Sequence, residues 1–218
     1  MTTLTTLFKQ IEDEFASNAI TGWCELPKAL ELAAAVVALK PLLIVELGVW
    51  GGKSLIPMAL ACQAVGRGVV MAVDPWSPVA SCEGYDAVNA RWWGAQDHER
   101  VYRDFIGHLD RLDLRTRVDV WRGRSDEVDV PMGIGLLHID GQHSEQAARD
   151  VARWAHRVHL GGLVCMDDLE WTVDGVPHVA HAVQSLLSLG FMKLHQTKTE
   201  KSCWGFFQRV IPNPSVRP

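Results

Sequence analysis

Four apolar runs in this chain each stop at a carboxylate. Leu42-Leu43-Ile44-Val45 stops at Glu46, Val69-Val70-Met71-Ala72-Val73 at Asp74, the run from Ile134 to Ile139 at Asp140, and Leu163-Val164-Cys165-Met166 at Asp167-Asp168. Short apolar runs alternating with amphipathic helical segments are the pattern of strands covered on both faces, so the sequence predicts an α/β fold with a mostly parallel sheet. Ligands of such sheets bind beyond the carboxyl ends of the strands. An acid repeated at four strand ends therefore predicts one polar cleft, and the repetition is stronger evidence than any single motif.

The first run continues through Leu47 into Gly48-Val49-Trp50-Gly51-Gly52-Lys53-Ser54 and then a helix-forming segment, which reads as strand, glycine turn and helix. Glycine permits positive φ and close backbone approach, and the free N–H groups of a following helix can receive a polar ligand. Spacing excludes two nucleotide-binding readings. A dinucleotide fingerprint needs G-x-G-x-x-G, but Trp50 stands where the second glycine belongs; a Walker A loop needs glycine at Leu47. Glu46 would oppose a phosphate and better suits a cofactor that carries an amine.

With 218 residues the chain is expected to form one domain, 1–218, with a full core. A net charge of -5 disfavours nonspecific attraction to nucleic acid or anionic membrane. The opening MTTLTTLFKQIEDEF lacks a basic stretch followed by an apolar core, and no apolar run reaches membrane-spanning length, so a cytoplasmic location is expected. The five cysteines form no C-x-x-C pair and read as reduced thiols.

Helices are expected at 3–18, 26–38, 53–65, 144–159 and 178–188, and strands at 42–47, 69–73, 118–121, 133–139, 163–166, 191–195 and 203–210. Gly161-Gly162 reads as the turn before the fifth strand, and 212–218 as a loose tail. The stretch 76–110 is too long for a minimal connection between strand and helix, and its helical run 95–110 with Trp92-Trp93 and His98 predicts a lid or wall over the site. The same tryptophans would also suit a contact in a homo-oligomer. Trp154 and Trp204 are expected in the core.

Asp74, at the end of the second strand, is placed to accept hydrogen bonds from ribose hydroxyls, and with Glu46 it favours an adenosine-containing ligand bearing an amino group. Here the chain resembles the class I S-adenosylmethionine-dependent methyltransferases over residues 25–210, through Glu46, Gly48 and Gly52 in an E/D-x-G-x-x-x-G pattern. The resemblance implies a three-layer Rossmann-like fold with a seven-stranded sheet. It places the methionine part of the cofactor along the turn that includes Gly51, Lys53 and Ser54, ribose on Asp74, and adenine near Trp76 and Arg124-Ser125.

Asp140 and Asp167-Asp168 end strands expected to be adjacent, and three converging carboxylates need protons, donors or a cation, for which magnesium is the first choice. The stretch from Leu137 to Ser144, with Asp150, Trp154 and Leu160-Gly161-Gly162 through Asp168, is similar to the metal-dependent small-molecule O-methyltransferases, both catechol-type and antibiotic sugar enzymes. That resemblance implies magnesium on Asp140, Asp167 and Asp168, and methyl transfer to a hydroxyl of a sugar or phenolic secondary metabolite. Asp140 would act as base as well as ligand, with His143 or Lys53 as further proton carriers. Two other readings are weighed beside it. His138 and Asp140 could belong to a non-haem iron hydroxylase, or the chain could be a nucleotide-binding regulator without activity.

Overall fold

A computed structural model describes residues 3–212. Two helices, α1 (Leu4–Ser17) and α2 (Leu26–Leu39), lead into β1 (Leu43–Leu47), followed by α3 (Leu55–Val65) and β2 (Val69–Asp74). Three helices, α4 (Pro78–Cys82), α5 (Ala87–Gly94) and α6 (His98–Arg111), occupy the long connection to β3 (Val118–Arg122). Then come β4 (Ile134–Ile139), α7 (Glu145–Trp154), β5 (Val158–Met166), α8 (His178–Ser188), β6 (Phe191–Lys198) and β7 (Cys203–Arg209).

The strands form one seven-stranded sheet in the order β3-β2-β1-β4-β5-β7-β6. The pairs among β1 to β5 are parallel, and β7 runs antiparallel to both neighbours. Chain order reverses between β1 and β4, so the crevice at their carboxyl ends is the topological switch point of the α/β fold. Buried residues on the two faces form two clusters, one under α1, α2 and α3, the other under α7 and α8. This is the Rossmann-like methyltransferase architecture expected from the sequence. Helix α3 is buried from Leu55 to Cys62, which explains why its sequence carries no polar stripe.

Strand β6 runs on to Lys198 and α3 begins at Leu55, and three larger differences from expectation have structural causes. The helix at 144–159 stops at Trp154, followed by a 3-10 turn at Ala155–Arg157, because Arg209 draws out the carbonyls of Ala155, His156 and Val158. Gly161-Gly162 lies inside β5, in an irregularity where the register jumps from Val158 opposite Ile134 to Leu163 opposite Leu136. The helix expected at 95–110 begins only at His98, and a separate helix, α5, ends at Gly94 before the break at Ala95-Gln96-Asp97 and carries Trp92 and Trp93. The expected tail from 213 onward lies outside the described residues.

Candidate active site

Main-chain pairing carries the register past the strand ends: Gly48 donates to the Val73 carbonyl, Asp140 to Leu47 and Asp167 to Ile139. These three bonds set the ends of β2, β1, β4 and β5 side by side. Gly48 has φ of +83°, and a Cβ there would lie 2.2 Å from the Asp140 carbonyl oxygen, so only glycine lets the β1 turn pass the end of β4. Above these ends opens a cavity of about 600 Å3, within the range of small-molecule sites.

Asp74 fastens the glycine turn. Its Oδ2 accepts the N–H groups of Val49 and Trp50, both at 2.9 Å, and its Oδ1 accepts that of Trp76 at 2.7 Å. A carboxylate offers about four lone-pair positions, so one remains for a ligand hydroxyl. Burial raises the Asp74 carboxyl above its ordinary pKa, with the three N–H groups opposing.

Across the switch point the charges are met differently. Lys28, on the buried face of α2 with Leu32 and Val36, is only 2% exposed. Its ammonium contacts Asp167 Oδ2 directly and lies 3.3 Å from Asp140 Oδ2. The remaining oxygen of Asp167 accepts the Asp168 N–H at 3.0 Å and the Ser202 hydroxyl at 3.4 Å. Burial opposes the charged forms, but the attraction of Asp140 and Asp167 holds the Lys28 ammonium above its ordinary pKa. Asp167 is lowered because Lys28 outweighs its burial; Asp140 is raised, by burial and by the charge of Asp167.

His143 forms the opposite corner. Its Nδ1 lies 3.0 Å from the Tyr85 hydroxyl and its Nε2 2.9 Å from Asp168 Oδ2, while Trp171 packs 5.3 Å from the imidazole. Burial raises the Tyr85 phenol above its ordinary pKa, so it remains a neutral hydroxyl. Trp23, Trp50, Trp92 and Trp93 form the cavity's aromatic wall, with neighbouring ring centroids 5.0 to 6.3 Å apart.

Gly48, Lys53, Ser54, Asp74 and Ser125 line the cavity, as do Asp140, His143, Asp167 and Asp168. Glu46 and Gly52 are not among the lining residues. Glu46 is fully buried behind the turn, where its Oε1 accepts from Ser54 and meets His138 Nδ1 at 3.0 Å. It therefore does not face the space expected for an amine. At Gly52 a Cβ would strike the Phe105 ring at 2.6 Å, so this glycine answers to packing. Trp76 also sits in the core, its ring 4.9 Å from Tyr102 and 5.6 Å from Phe105 and its indole N–H donating to the Trp50 carbonyl. Adenine has no access to it. Ser125 donates to Asp150 at 2.6 Å, and burial raises that carboxyl to about 6.

The donor set expected for magnesium does not converge. Asp140 and Asp167 turn oxygens to Lys28, and Asp168 turns one to His143. Among the described residues, the groups with mutually close ligand atoms are Asp140–His143–Asp168 and Glu46–His138–Asp140, neither including Asp167. In the second, Glu46 and His138 are completely buried and meet each other, and only Asp140 reaches the cavity.

Lys28, Tyr85, Trp23 and Trp50 were not anticipated as cavity residues. A charge among the apolar positions of LPKALELAAAVVAL was the signal for Lys28. Among the described residues, no helix is long and apolar enough to cross a membrane.

Residues 45–169 match a family profile described as a methyltransferase domain, more than half of the chain. No curated protein matches the sequence. Among solved structures, the O-methyltransferase TomG from Streptomyces achromogenes, involved in tomaymycin synthesis and solved with SAM, is 14% identical. That match covers 95% of this chain and 89% of TomG, with a TM-score of 0.65. The O-methyltransferase from Bacillus cereus in complex with SAH is also 14% identical, covering 93% of this chain and 90% of that one, at a TM-score of 0.58. An rRNA methylase from Streptococcus thermophilus is 9% identical, covering 82% and 94%, at 0.57. Likeness at these identities shows the shared fold, and that fold alone does not choose between small-molecule and RNA acceptors.

Proposed function

The chain belongs to the methyltransferase-domain family, and from that membership we propose that it transfers a methyl group from S-adenosylmethionine to a hydroxyl of a small molecule, a sugar or phenolic secondary metabolite. The glycine turn and the free lone pair of Asp74 receive the methionine and ribose parts, with Ser54 and Lys53 beside them and Ser125 towards the adenine. A cavity lined by Asp74, Asp140, Asp167 and Asp168 suits a ligand carrying sulfonium and ammonium charge. The confined cavity and net charge of -5 favour a small acceptor over RNA. Helices α4 and α5 form its outer wall, where Trp92 and Trp93 pack against the acceptor's flat face.

The observation that carries this reading is His143, with the Tyr85 hydroxyl 3.0 Å from its Nδ1 and the Asp168 carboxylate 2.9 Å from its Nε2. An acceptor hydroxyl replacing that of Tyr85 gives its proton to Nδ1, and the oxygen lone pair forms the bond to the methyl carbon. The carbon–sulfur bond breaks with its electron pair left on sulfur, giving S-adenosylhomocysteine. Asp168 stabilises the resulting imidazolium. Magnesium, where an enzyme of this kind uses it, supplies Lewis acidity to the hydroxyl. Asp140 and Asp167, the carboxylates expected to hold it, are tied to Lys28 instead.

Calorimetry is expected to show S-adenosylmethionine binding in preference to NAD or ATP, and mass spectrometry a methylated product from a panel of glycosides and phenols. His143→Ala should lower kcat by about 10^2 to 10^4-fold while leaving cofactor affinity intact. Tight NAD binding without S-adenosylmethionine binding would reject the reading.

A further inference from the structure

Asp140 and Asp167 together would ordinarily call for a hard cation, because two carboxylates brought into one buried corner repel. The corner already holds one. Lys28 reaches it from α2, its ammonium touching Asp167 Oδ2 and standing 3.3 Å from Asp140 Oδ2, with the side chain 3% exposed. The other oxygen of Asp167 is taken by the Asp168 N–H and the Ser202 hydroxyl. Asp167 already takes three donors, and a divalent ion bound between these carboxylates would have to displace a buried ammonium. No acid of α2 competes for that ammonium, because the helix's one acidic residue, Glu31, is engaged with His195, Thr197 and Trp204.

We infer that Lys28 is the resident cation of this site, filling the place between Asp140 and Asp167 that a divalent ion would need, so that methyl transfer here proceeds without a metal. This rests on the methyl-transfer reading above. Lys28 acts as a positioning residue: it sets the direction of both carboxylates and keeps positive charge in the cavity that His143 also lines. A metal ion can be stripped by a chelator; a side chain cannot.

The test titrates the purified parent with Mg2+ and with Mn2+ by calorimetry and by Mn2+ electron paramagnetic resonance, and assays turnover in excess chelator. The expected parent shows no stoichiometric cation binding and keeps full turnover in chelator. Lys28→Ala is expected to gain one Mn2+ per chain, and Asp167→Asn in that background to lose it again. A lysine serving only to hold α2 in place would not produce this gain. Lys28→Arg, which keeps the charge, should remain indifferent to chelator. One Mn2+ bound per parent chain and lost in Asp167→Asn overturns the assignment, and so does parent turnover abolished by chelator and restored by Mg2+. Because cation binding is read without cofactor, it judges Lys28 even if S-adenosylmethionine fails to bind, a result that would strike only the methyl-transfer reading.

Discussion

Asp74 and Asp167 are buried carboxylates on opposite sides of the switch between β1 and β4, 8% and 4% exposed, yet they are stabilised by different means. Asp74 collects three main-chain N–H groups; Asp167 pairs with an ammonium. The outcome differs in sign. Burial still raises the Asp74 carboxyl against its three dipoles, whereas the full charge of Lys28 overcomes burial and lowers that of Asp167. Oriented dipoles shape the turn on the cofactor side, and a formal charge fixes the corner on the acceptor side.

The largest effect should come from removing that charge. Lys28→Ala leaves Asp167 buried and unpaired, at a cost of about 3–5 kcal/mol read from the denaturation midpoint, and adding Asp167→Asn should recover a large part of it. Equal loss in the single and double variants would break the contrast, because it would make the lysine's alkyl chain the important part.

Asp150 sharpens the contrast from the other side, since it is held by the neutral donors Ser125 and Gln146 alone. Its folded value of about 6 stands above the ordinary 3.8, so the folded state binds the proton more tightly. The stability this contributes is complete below about 4 and lost as pH rises to about 6, by at most about 3 kcal/mol. Asp150→Asn should therefore gain on the parent across that interval in melts taken at successive pH values. Asp167 has the opposite signature: its contribution is present at neutral pH and lost as acid protonates it. A flat difference between parent and Asp150→Asn would show that neutral donors suffice.

The smallest effect is expected at the main-chain cradle. Asp74→Asn keeps one acceptor oxygen but sets an amide donor against N–H groups, a loss of about 1–3 kcal/mol. Affinity for S-adenosylmethionine should weaken more than kcat falls. A variant as costly as Lys28→Ala would erase the distinction between dipoles and charge.

This difference also governs how much the sequence discloses. The strand ends and the turn at Gly48 were legible because they depend on local runs and on N–H groups within 25 residues of Asp74, most of them in the turn itself. Lys28 lies 139 residues from Asp167, and nothing in its own neighbourhood names its partner. Trp76 was misplaced for a related reason. Asp74 bends the chain through a positive φ of 40° there and sends the indole inward onto Phe105, an orientation set by tertiary bonds rather than by loop position. Glu46 was read by motif, but its direction was decided by His138 on the neighbouring strand. The early end of α7 likewise depends on Arg209, far along the chain.

Trp23, Trp50, Trp92 and Trp93 come from three separate parts of the chain and meet with centroids as close as 5.0 Å. Indoles that close exchange excitation faster than they emit. Their light therefore leaves the wall as from one shared chromophore, weighted towards Trp23 and Trp92, which are 61% and 44% exposed and nearest to water. A molecule settling against any one of the four rings alters the emission of all, so the protein carries an unlabelled optical gauge of whether its cavity is filled.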